Sequence, residues 1–64
     1  MDIITEKEKR IAAFAASGKT SQEIAALIGI SHETVRWYRK RMLRKLGARN
    51  FNELTALLKD RNII

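Results

Sequence analysis

The 64-residue chain has no cysteine and no proline, carries only three glycines, and between positions 35 and 52 has no acidic residue at all. Without cysteine there is no disulfide framework and no thiolate metal site, which is compatible with a reducing cytoplasm. No apolar run approaches the roughly 18 residues of a membrane span. The start does not resemble a signal peptide, because Asp2, Glu6 and Glu8 interrupt it. There is no nucleophile with an adjacent base, no pair of carboxylates on one face and no glycine-rich phosphate loop. His32 is the single histidine and has no second ligand nearby, so neither a metal, a cofactor nor catalysis is expected. A chain this short can bury only about 60% of its unfolded surface, so a single marginally stable domain over residues 1–64 is expected, without an enclosed active site.

What is present is positive charge, unevenly placed. Thirteen Lys and Arg against seven acids give a net charge of +6 and a pI near 10.4. Seven of these cations fall within residues 35–52, which favours a polyanionic partner. On a helical wheel of about 100° per residue, Val35, Tyr38, Met42 and Leu46 fall on one apolar stripe, whereas Glu33, Arg36, Trp37, Lys40 and Arg44 gather opposite. Arg36 and Lys40, four apart, project in nearly the same direction and can reach adjacent base steps in a groove, Arg bonding guanine O6 and N7 together. Trp37 beside them is suited either to a thymine methyl or a sugar edge, or to leaning over the second helix at the periphery of the core. Arg39, Arg41 and Arg44 are placed for phosphates, which set position and affinity but not sequence.

Four helical patterns follow one another with short breaks and make an all-α unit. Thr5 with Glu8, and Thr20 with Glu23, have the form of capping boxes. They predict a first helix from about Glu6, with Ile11, Phe14 and Ala15 apolar and Gly18 at its end, and a short second helix carrying Ile24, Ala25, Leu27 and Ile28. Ala25 and Ala26 are small enough for close helix packing. Glu8 fits either the capping box or an ion pair with a basic residue of the third helix. Only positions 29–31 remain for the next turn, which forces a steep helix crossing; Gly29 suits the positive φ required, and Ile30 can plug the angle. Ser31 caps a third helix over about 32–46 that Gly47 closes, and Asn50 with Glu53 opens a fourth through about Lys59, with Leu54, Leu57 and Leu58 apolar. The unpaired N–H groups at the starts of the second and third helices can bind anions. The apolar arc of the fourth helix, extended by Ile63 and Ile64, is wider than one packing surface needs and predicts a weak dimer through Leu54, Leu57 and Leu58.

Ile4-Thr5 with Glu8, Gly18-x-Thr20-x-x-Glu23-Ile24-Ala25, Ile30-Ser31-x-x-Thr34-Val35-Arg36 and Lys45-Leu46-Gly47 together resemble the LuxR-type, or GerE-like, helix-turn-helix DNA-binding domain of bacterial transcription regulators. The resemblance covers about residues 4–58. It implies a four-helix domain that binds double-stranded DNA sequence-specifically, with the third helix in the major groove and the fourth paired with a second copy. By the same resemblance Arg36, Trp37 and Lys40 face the bases, while Thr20, Ser21, Gln22, Thr34 and Lys45 lie at phosphates; Ser31, from its place at a helix start, is either a cap alone or a cap that also meets a phosphate. RNA polymerase is a further candidate partner, and the setting implied is the bacterial cytoplasm. Members of the family usually carry a receiver or ligand-binding domain ahead of this one. Two positions depart from the family pattern: Tyr38 stands where His is common and Phe51 where Arg is frequent. Promoter-recognition domains of sigma factors share the Thr-x-x-Glu-Ile-Ala and Thr-Val-Arg elements, but the Lys45-Leu46-Gly47 ending and the fourth helix favour the LuxR type. A basic amphipathic module binding membrane surfaces or an acidic protein would need neither the sharp turn nor the caps.

Overall fold

A computed structural model describes residues 4–64. Within them the chain forms α1 (Glu6–Ala16), α2 (Ser21–Ile28), α3 (His32–Leu46) and α4 (Phe51–Asp60). The starts follow the capping logic of the sequence. The Thr5 and Thr20 hydroxyls accept from the Glu8 and Glu23 N–H groups, and both carboxylates reach back to the threonine N–H at 2.9 Å. Ser31 Oγ accepts from Thr34 N–H, and Asn50 Oδ1 accepts from Glu53 N–H at 2.8 Å.

The four helices also end alike. In each, an N–H one or two residues past the cap reaches five residues back: Lys19 to the Phe14 carbonyl, Ile30 to Ala25, Ala48 to Leu43 and Ile63 to Leu58. The residue before each of these donors has positive φ, a glycine in the first three cases and Asn62 (φ 57) in the last. Asn is the residue after glycine best suited to that conformation. This last turn extends α4 one residue past the expected end and folds Ile63 and Ile64 back against the core. The two isoleucines that extend the apolar arc of the fourth helix are therefore half-buried within the monomer, which leaves less of that arc for a partner.

Ile4, Ile11, Ala12, Ile24, Ala25, Val35, Met42, Leu54 and Leu58 form the core, and Tyr38, Leu43, Leu46 and Ile30 pack around it. Two expectations for α2 fail. Ala26 is exposed, leaving Ala25 as the small residue at the helix contact. Leu27 is 54% exposed; it lies roughly 105° from the centre of the face defined by Ile24, Ala25 and Ile28, too far round an eight-residue helix to reach the core. α3 packs on all three other helices, whereas α2 and α4 do not pack on each other. No helix among the described residues is long and apolar enough to cross a membrane.

Candidate nucleic-acid interface

Burial of Val35 and Met42 fixes the rotation of α3 and so decides which side chains stand outward. Arg36, Trp37, Lys40, Arg41 and Arg44 are all exposed. Arg36 and Lys40 form a ridge between two shallow grooves. One groove is lined by Glu33, Arg36, Trp37 and Lys40, and the other includes Ser21, His32, Leu43 and Phe51 beyond the ridge. Among the described residues, the side chains of Arg36, Lys40 and Arg44 have no hydrogen-bond or ion-pair partner. These cations are free to meet an external anion, and a helix of this diameter fits the roughly 12 Å major groove.

Trp37 is 54% exposed and does not lean into the core. Its ring meets Tyr38 edge-to-face, with centroids 5.1 Å apart, and the Arg41 guanidinium lies 5.2 Å from its centroid. Tyr38, half-buried against the core, thus supports an aromatic surface that points outward.

Two cations expected at phosphates have partners inside the molecule. Arg39 donates to Ser21 Oγ at the start of α2 and places its guanidinium 4.4 Å from the centroid of Phe51 at the start of α4. Phe51 therefore offers an aromatic face where a polar contact was in question. Lys45 donates to Glu8 Oε1 at 2.9 Å, and its side chain is only 22% exposed. The alternatives for Glu8 are both realised: one fully buried carboxylate closes the α1 capping box and pairs with α3. Its second oxygen lies 4.0 Å from Arg41 Nε and accepts no hydrogen bond from the described residues. Burial alone would raise the Glu8 pKa, but the Thr5 N–H and the Lys45 ammonium together hold it below its ordinary value.

At the helix starts, N–H groups without an internal acceptor coincide with hydroxyls that can donate. The N–H groups of Ser21 and Gln22 open α2, where helix geometry leaves them unpaired. The hydroxyls of Ser31 and Thr34 share one hydrogen bond of 2.7 Å, so one of their two protons remains for an outside acceptor.

The dimerisation set divides. Leu54 and Leu58 are fully buried, because α4 must fill the space beside α1 and α3, and neither can meet a second copy. Leu57 is half-exposed and does not belong to the packed core. A wheel drawn on α4 alone cannot divide its apolar arc between neighbours in the fold and a partner outside it. The Arg39 bridge was equally beyond sequence reading, since its two partners lie far along the chain on other helices.

Residues 2–58 match the family model of bacterial regulatory proteins, luxR family. The chain is 35% identical over 63 residues to the transcriptional activator protein ExpR of Dickeya dadantii, covering 98% of this chain and 25% of that protein. It is 44% identical over 52 residues to the regulatory protein SdiA of Escherichia coli, covering 81% and 22%. With the transcriptional regulatory protein UhpA of Salmonella typhimurium it shares 39% identity over 59 residues, covering 92% and 30%. The chain thus spans about a quarter of the length of the curated relatives it matches. No solved structure matches it.

Proposed function

The chain belongs to the luxR family of bacterial regulatory proteins and has that family's DNA-binding domain, and from this premise we propose how it reads its site. α3 lies in the major groove of double-stranded DNA with Arg36, Trp37 and Lys40 on base edges. Arg41 and Arg44 flank the groove at the phosphates, as do Thr20, Ser21 and Gln22 at the start of α2 and Ser31 and Thr34 at the start of α3. Arg39 and Lys45 act from behind this surface, Arg39 by tying α3 to Ser21 and Phe51, and Lys45 by holding Glu8. The observation that carries the reading is the ridge itself: Arg36 and Lys40 are exposed and unpartnered among the described residues, on the helix face opposite buried Val35 and Met42.

Leu57 supports a weak symmetric dimer that pairs on DNA, with half-sites about one helical turn apart. RNA polymerase is the further partner when such a site lies at a promoter, and the setting is the bacterial cytoplasm. Selection of bound sequences from random duplexes tests the reading. A recurrent palindromic motif is expected; recovery of no motif would overturn it.

A further inference from the structure

Four of the five glutamates have partners within the chain. Glu6 pairs with Lys9, Glu8 and Glu23 close capping boxes, and Glu53 binds the start of its own helix. Glu33 differs. It is exposed, has no hydrogen-bond or ion-pair partner among the described residues, and lines the same groove as Arg36, Trp37 and Lys40. A carboxylate on a face turned toward phosphates repels them, a cost that a hydrogen-bond donor on the DNA offsets.

We propose that Glu33 is a specificity-determining residue whose carboxylate accepts a hydrogen bond from the N4 amino group of a cytosine beside the base read by Arg36. The inference rests on the placement of α3 in the major groove. In that groove cytosine presents an amino donor, whereas adenine sets the acceptor N7 beside its N6 amino group, where a carboxylate is repelled. Thymine and guanine offer O4 and O6, both acceptors. Three residues advance a helix by about 4.5 Å, comparable with the roughly 3.4 Å between base pairs, so Glu33 and Arg36 can address neighbouring steps.

The test uses the 64-residue chain and its Glu33→Gln, Glu33→Asp and Arg36→Ala variants, each checked for helicity at the assay temperature. Selected sites are titrated beside copies with each C·G pair changed to T·A, and beside a scrambled duplex. The natural chain is expected to prefer cytosine at one position by about tenfold, and Glu33→Gln to reduce this to within about twofold. On the scrambled duplex Glu33→Gln should bind about two- to fivefold more tightly, because a charge repelled by phosphate is gone. Glu33→Asp keeps the charge but shortens the reach, so it should lose the preference without gaining scrambled binding. Variants that select the natural motif with unchanged preference at every position would overturn the inference, leaving Glu33 as an acid that stabilises the first turn of α3. Loss of a guanine preference in Arg36→Ala would then preserve the reading by α3, whereas the absence of any motif for the natural chain would remove both.

Discussion

Glu8→Gln removes one charge from the interior and leaves the shape of the side chain in place. The Gln carbonyl can still accept from Thr5 N–H, so what is lost is the charged pairing with Lys45, now 2.9 Å from Oε1, and the attraction of Arg41. Breaking a fully buried pair costs about 3–5 kcal/mol, chiefly through the charge left behind. Here the charge left behind is Lys45, whose side chain is 22% exposed and can turn toward water, so about 2–3 kcal/mol is expected. For a domain of this size that lowers Tm by roughly 10–20 °C. The pH dependence has a definite sign. Because folding lowers the Glu8 pKa below its ordinary 4.5, its stabilisation is fully present above that value and is lost as pH falls through the folded one. Thermal melts of both proteins at neutral and strongly acidic pH should therefore show a gap that closes in acid. A gap under about 0.5 kcal/mol at neutral pH, or one equally large in acid, would refute the charge argument.

Leu54→Ala should destabilise by about 2–5 kcal/mol in denaturant titrations, whereas Leu57→Asp should change stability little and reduce footprints from paired half-sites to one. Arg44→Ala should lower the slope of log affinity against log salt by about 0.9; Arg39→Ala should change that slope less and lower Tm instead, through loss of its contacts with Ser21 and Phe51. Arg36→Ala should leave melting nearly unchanged and weaken the selected site by about 1–3 kcal/mol, with a smaller effect on scrambled duplexes. Gly29→Ala places a side chain in open space at φ 84, so its cost, about 1–2 kcal/mol by thermal melts, is that of the backbone conformation alone.

Local chemistry made the helices legible. Thr5, Thr20, Ser31 and Asn50 mark the starts because each cap partner lies three residues away, and Gly29 marks the turn because few other residues adopt its φ. The outward ridge was legible too, since apolar periodicity alone orients α3. The surroundings of Arg39 and Leu54 were not, because they depend on which helices meet in space; for Lys45 the sequence offered only that Glu8 pairs with some basic residue of α3. Asn62 ended α4 without the glycine that signals such an ending elsewhere in this chain.

Each helix packs on the next in sequence, and α1 closes the assembly against α3 and α4. With connections this short and no proline to isomerise, such a topology belongs with proteins that fold in microseconds to milliseconds. A domain that recloses so quickly is digested according to the fraction open at equilibrium rather than its rate of opening. DNA that binds only the closed form lowers this fraction by the factor 1 + [DNA]/Kd. The resistance of this domain to proteases is thereby linked to DNA occupancy: domains free in solution are cleaved first, and those seated on DNA persist.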